Sequence, residues 1–217
     1  MNQARLVVFD LDGTLVDSRR DLAESANAVL EECGCDPLDE AAIGRMVGDG
    51  AAVLVARAFG AAGCPAPPDA LPRFLALYNA RLLRFTRAYP GIPELLARLA
   101  VRAKLAVLTN KPIGPTVEIL DGLELAQYFD RALVRGGDGP LPRKPDPTGL
   151  LLLLEEADVA RTHAVLIGDS LVDLRTARAA QVSCCLVRYG FGFESVPADE
   201  LNGVTRVVDH PDELENL

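Results

Sequence analysis

The sequence predicts an α/β fold, a doubly wound parallel sheet interrupted by an all-helical insertion. Three observations carry that expectation. Apolar runs of strand length, without polar alternation, recur between helical patterns, the habit of strands covered on both faces. The first of them, Leu6-Val7-Val8-Phe9, runs straight into an acidic turn, Asp10-Leu11-Asp12-Gly13-Thr14. Between that turn and Tyr89 the apolar residues keep helical spacing, and from Gly34 to about Ala88 no strand-like run occurs. The expected division is a core of residues 1–14 and 89–217, with residues 15–88 inserted after the first strand.

Each element follows from local signals. Ser18 and Asp21 suit a capping box, and Leu22, Ala26, Val29 and Leu30 then recur at helical spacing until Gly34 stops the helix. Breaks at Asp36-Pro37, Gly48-Asp49-Gly50 and Pro65 to Pro68 divide the rest of the insertion. Tyr89-Pro90-Gly91 is a turn, and Pro93 fits a helix start. Strands are expected at Lys104 to Leu108, Arg131 to Arg135, Ala164 to Ile167, Val182 to Val187 and Thr205 to Val208. Helices are expected from about Pro115 to Gly122, around Leu150 to Leu154, and behind Gly168-Asp169-Ser170 through Ala180. Such alternation implies right-handed βαβ crossovers.

Composition narrows the function. The 217 residues carry a net charge of −9, and no basic run is longer than Arg19-Arg20, which argues against a nucleic-acid surface. Only three lysines occur, Lys104, Lys111 and Lys144, so the position of each carries weight. Leu150 to Leu154 is too short to span a bilayer, and no signal-peptide pattern precedes the first strand. Cys33, Cys35, Cys64, Cys184 and Cys185 make no C-x-x-C spacing and read as reduced thiols. A soluble cytoplasmic protein, monomeric or homodimeric, is the expectation, with no nucleic-acid or membrane partner.

Chemistry gathers at strand ends. Ligands of open α/β sheets sit beyond the carboxyl ends of the strands, where Asp10 and Asp12, then Thr109, then Asp169 converge. Two carboxylates as close as Asp10 and Asp12 are tolerable if a cation bridges them or one keeps a proton. Gly13 permits a sharp turn whose N–H groups can hold an anion. Asp169 and Asp173 are four apart, hence on one helical face if the helix begins just after Gly168, and with Asp10 they supply the hard oxygen ligands that Mg²⁺ prefers. Thr109 offers a hydroxyl, and the N–H after it, to a phosphoryl oxygen. A nucleophilic aspartate, a second carboxylate for proton transfer, a metal and an anion pocket suit phosphoryl transfer.

Asp10-x-Asp12-Gly13-Thr14, Thr109, Lys144-Pro145 and Gly168-Asp169-Ser170-x-x-Asp173 resemble the four ordered motifs of the haloacid dehalogenase superfamily of phosphohydrolases. The insertion resembles that family's small helical cap, and the core its Rossmann-like domain. The resemblance implies that Asp10 is the nucleophile and Asp12 the acid and base, its carbonyl joining the Mg²⁺ shell. It implies that Thr109 and Lys144 hold the phosphoryl group, with Gly13 and Asn110 beside them. Asp169 binds the metal directly on this reading, and Asp173 binds it through water or positions Lys144. Met46-Val47-Gly48-Asp49-Gly50, Tyr89-Pro90-Gly91, Thr109-Asn110-Lys111-Pro112 and Tyr189-Gly190-Phe191-Gly192 look most like phosphoglycolate phosphatases. The implied partner is a small phosphorylated metabolite, 2-phosphoglycolate first. The alternatives are a sugar-phosphate phosphatase, a β-phosphoglucomutase-like transferase and a phospho-acceptor signalling module. Specificity is expected from the inserted loop, with Gly48, Asp49 and Gly50 approaching the ligand and Arg45 meeting a carboxylate.

Overall fold

The computed structural model describes residues 5–201, 204 and 206–216. Its centre is β1 (Leu6–Phe9), every residue of which is buried. On one side β1 pairs with β4 (Lys104–Leu108), which pairs with the short β5 (Val134–Arg135). On the other side lie β6 (Ala164–Gly168), β7 (Ser183–Val187) and β8 (Arg206–Val208). The six strands are all parallel, in the order β5-β4-β1-β6-β7-β8.

Alternation along β1 divides the core. Val7 and Phe9 face the cluster that holds α5 (Ile92–Ala100) and α6 (Ile113–Gly122). Leu6 and Val8 face the opposite cluster, built on α7 (Thr148–Ala157) and α8 (Leu171–Ala180). A period of two thus gives each sheet face its own helices, and a strand covered on both faces must be apolar throughout.

Between β1 and α5 the chain builds α1 (Arg19–Glu32), α2 (Glu40–Gly44), α3 (Ala51–Ala61) and α4 (Ala70–Asn79). Gly34, at φ +74°, takes the left-handed conformation that ends α1. Leu54, Ala58, Phe59, Phe74 and Tyr78 pack with Leu22, Ala26 and Leu30 in a core continuous with that under β1. A two-stranded ribbon closes the neck of this insertion: β2 (Val16–Asp17) pairs antiparallel with β3 (Arg87–Ala88). Two residues per strand are too few to show alternation, so these strands carry no signal in the sequence.

Other departures are local. Residues Arg131–Leu133 form a 3₁₀ turn, so the expected strand shrinks to Val134–Arg135. Thr205 lies outside the described residues, and the last strand starts at Arg206. Cys35 and Cys64 form a disulfide across the ends of α1 and α3, with Cα atoms 6.3 Å apart, which corrects the reading of five thiols. Cys33, Cys184 and Cys185 take no part in that disulfide.

The expected capping box at Ser18 does not form. The Ser18 hydroxyl donates to Asp12 instead, and Asp21 reaches across the neck. Its Oδ2 accepts from Phe85 N (2.9 Å), Thr86 N (2.8 Å) and Thr86 Oγ1 (2.8 Å), all fully or partly buried. Asp21 therefore clamps the entry of the insertion to its exit. Asp21→Ala strands three donors at the neck, so urea denaturation is expected to show a loss of about 3 kcal/mol. A variant as stable as the wild type would remove Asp21 from that role.

Candidate functional site

Three strand ends and one loop meet beyond the carboxyl edge of the sheet, the place where parallel sheets bind ligands. Asp10 extends β1, its N–H donating to Ile167 O at 2.9 Å. Thr109 extends β4, its N–H donating to Arg135 O at 3.0 Å. Asp169 follows β6, and Ser170 caps α8 in a reciprocal box with Asp173. Lys144 enters from the loop before α7. All are buried.

The central contact is electrostatic. Lys144 Nζ stands 2.9 Å from Asp10 Oδ1 and 2.6 Å from Asp173 Oδ1. The second oxygen of Asp173 accepts from the Ser170 hydroxyl at 2.6 Å. Asp169 Oδ2 accepts from Gly192 N at 2.7 Å. Carboxylate oxygens of Asp10, Asp169 and Asp173 lie within 4.8 Å of one another. Three acids therefore share one close cation.

The proton affinities report that imbalance. Burial pushes the Asp10 carboxyl up to about 6, with Lys144 pulling the other way and Asp173 adding to the rise. Burial also raises Asp169 well above the usual carboxylate range, helped by Asp173 and Asp10. For Lys144 burial alone favours loss of the proton, but Asp10 and Asp173 outweigh it and hold the ammonium charged. A donor set of three buried carboxylates, short of positive charge, fits a hard divalent cation.

Glycines make the approach possible. Gly13 has φ +84°, and a Cβ there would lie 2.0 Å from Asp169 Oδ2. A Cβ on Gly190 would lie 2.2 Å from Gly13 O and 2.3 Å from Asp169 Cβ. The Tyr189-Gly190-Phe191-Gly192 segment thus closes on the acidic turn, and its Gly192 N–H holds Asp169.

Asp12 belongs to a second, separate pair. Both its oxygens accept from Lys111 Nζ, at 3.0 and 2.9 Å, and Oδ1 accepts from Ser18 Oγ at 2.5 Å. Lys111 Nζ also donates to Tyr78 Oη at 2.6 Å and lies 4.5 Å from the centre of that ring. Burial raises the Tyr78 phenol to about 12 despite the Lys111 charge. Burial opposes the charge on Lys111, yet Asp12 holds it protonated.

A cavity of about 50 Å³ lies between the insertion and the strand ends. Asp10, Asp12, Thr109, Asn110 and Lys111 form its floor, and Leu22, Val47, Leu54, Phe74, Leu75 and Tyr78 supply most of the remaining wall. Gly48 and Gly50 line it as well, and Asn110 Nδ2 donates to Gly48 O at 2.8 Å, tying the inserted loop to the core. The same amide binds the backbone of Lys144 through both of its polar atoms.

Some expected residues stand elsewhere. Arg45 is exposed and does not border the cavity. Asp49 is turned to Arg57, 2.6 Å away, and is not in the wall. Lys111, Tyr78, Ser18 and Gly192 were not expected as site residues. For Lys111 a signal existed, because it is one of only three lysines and follows Thr109-Asn110. Tyr78 carried none, since an aromatic on the apolar face of a helix reads as core.

The raised Asp10 sets a pH dependence. An acid whose folded pKa lies above its unfolded value adds stability below the unfolded pKa, and loses it as pH rises through the folded one. Metal-free protein should therefore lose on the order of 2 kcal/mol between about pH 4 and 6.5 through Asp10, a loss absent in Asp10→Asn. Denaturation of the two proteins across that range measures it. Parallel pH profiles would show Asp10 ionising freely.

Similarity to other proteins points the same way. The model of the family described as haloacid dehalogenase-like hydrolase matches residues 7–187. A phosphoglycolate phosphatase of Rhodospirillum rubrum is 45% identical over 201 residues, 88% of this chain and 83% of that protein. One from Pseudomonas putida is 38% identical over 197 residues, 86% and 70% of the two chains. The crystal structure of a predicted phosphoglycolate phosphatase from Haemophilus somnus superposes with a TM-score of 0.88 at 29% identity, covering 99% of this chain and 98% of that one.

Proposed function

Because the chain belongs to the haloacid dehalogenase-like hydrolase family, we propose that it hydrolyses a small phosphomonoester, with 2-phosphoglycolate as the substrate. The observation that carries the reading is the pair of neighbouring aspartates, each with its own buried lysine. That arrangement gives two carboxylates of one turn different work. We assign residues 15–88 as the cap and the remainder as the catalytic core.

Asp10 is the nucleophile. Its carboxylate oxygen attacks phosphorus, the bond to the ester oxygen breaks, and Asp12 gives that oxygen its proton. Asp12 then takes a proton from water, which attacks the aspartyl phosphate and restores Asp10. Lys144 and the Thr109 hydroxyl balance the charge on the phosphoryl oxygens, with the backbone N–H of Asn110 beside them. The Asn110 side chain is occupied with Gly48 and Lys144, so its part is to hold the cap loop and the lysine.

Asp10, Asp169 and Asp173 fit Mg²⁺, with the Asp12 carbonyl as a further ligand, and the ion when bound supplies charge neutralisation and orientation at the phosphoryl group. Asp173 already engages Lys144 at 2.6 Å, which supports the lysine-positioning role over a purely metal-binding one.

Phosphate release from a panel of phosphomonoesters with Mg²⁺ tests the reading. Activity is expected on 2-phosphoglycolate, little on glucose 6-phosphate, and none in excess chelator. Asp10→Asn should lower kcat by at least about 10⁴-fold in a folded protein, because an amide is not a competent nucleophile. Substantial turnover by that variant would mean that another group attacks phosphorus.

A further inference from the structure

We propose that Lys111 and Tyr78 form the subsite that recognises a carboxylate on the leaving group; the inference rests on the phosphatase reading above. The cavity walls contain one cationic side chain, Lys111, and it is buried. Arg45 is exposed and does not line the cavity. An ammonium has three N–H groups. Tyr78 Oη takes one at 2.6 Å, and the two oxygens of Asp12, at 2.9 and 3.0 Å, take the rest of its contacts; because both belong to one carboxylate they can share a single N–H, which leaves another for a ligand on the cavity wall.

Tyr78 completes the site. Its oxygen accepts from Lys111, and burial keeps the phenol protonated, so its own hydrogen is available to donate. Two donors, Nζ–H and Oη–H, then stand 2.6 Å apart on the cavity wall, close to the span of the two oxygens of one carboxylate. Around them the wall is apolar, formed by Leu54, Phe74, Leu75 and Pro115. In such surroundings a charged hydrogen bond gains strength, and leaving its donor unmatched is costly.

The geometry also joins recognition to the reacting groups. Lys111 extends from the core, Tyr78 from the cap helix α4, and both meet beside Asp12. A carboxylate seated on the pair is held one side chain away from the group that protonates the ester oxygen. That distance suits a two-carbon hydroxy acid. An uncharged leaving group of the same size lacks the contact.

The test compares 2-phosphoglycolate with ethyl phosphate, which carries a methyl group in place of the carboxylate. The wild type is expected to favour the acid in kcat/KM by at least about tenfold. Lys111→Met should cut that preference by about tenfold or more, through KM, and Tyr78→Phe by a smaller factor. Equal losses on both substrates would show that Lys111 acts only by positioning Asp12, and would overturn the subsite while leaving the phosphatase reading intact. Equal use of both substrates by the wild type would overturn it too. Release of phosphate from neither would instead bring down the phosphatase reading itself. Should Lys111→Met not fold, inhibition of wild-type ethyl phosphate hydrolysis decides: glycolate is expected to compete and glycolamide not to, and equal inhibition by the two would overturn the proposal.

Discussion

Three carboxylates and one ammonium buried at the end of a parallel sheet are the constraint on which the rest of the molecule depends. Charges taken out of water must be matched, and Lys144 alone cannot match Asp10, Asp169 and Asp173. The protein holds the excess in place with local hydrogen bonds: the Ser170 hydroxyl to Asp173, and the Gly192 N–H to Asp169. It also uses glycine where any side chain would push the acids apart, at positions 13 and 190. The result is a cluster kept close against its own repulsion. The three acids are thus already gathered as ligands for a hard cation would need to be, with the assembly cost met during folding.

A second dependence runs through the insertion. The four helices have no sheet of their own, so their apolar faces share the core beneath β1 and their loops must cross the strand ends. Asn110 holds the Gly48 loop, Lys111 holds Tyr78, and Asp21 fixes the neck. Three polar contacts, all fully or partly buried, set how the cap meets the core. Each joins residues far apart in the chain, with separations of 62, 33 and 65 positions.

That long-range character explains what the sequence could and could not reveal. Buried parallel strands announce themselves by unbroken apolar runs, so β1, β4, β6 and β7 were legible, as were the acids that follow β1 and β6. Hydrogen bonds that override a local preference were not. Ser18 and Asp21 have the spacing of a capping box, yet each found a stronger buried partner elsewhere, while Ser170 and Asp173 formed the box. The pairing of Cys35 with Cys64 depends on how α1 and α3 pack, which no spacing rule contains. Arg45 adjoins the loop, but adjacency in the chain does not fix the direction of a side chain.

The two aspartates of the first turn show why placement outweighs composition. Asp10 and Asp12 are the same residue type, two positions apart, with the same reference proton affinity. Asp10 is enclosed with two further acids, and burial holds its proton affinity high unless a cation arrives. Asp12 instead faces a lysine that reaches both oxygens of its carboxylate, plus a serine hydroxyl. On the proposed reading the first environment meets the metal and the second the leaving group. Roles in a two-step phosphoryl transfer can therefore be divided between the acids by which lysine each one meets, Lys144 from the loop before α7 or Lys111 from the end of β4. With three lysines in the chain, two are committed to that division, and the third, Lys104, is bound to Ala157 O at the opposite end of the same strand.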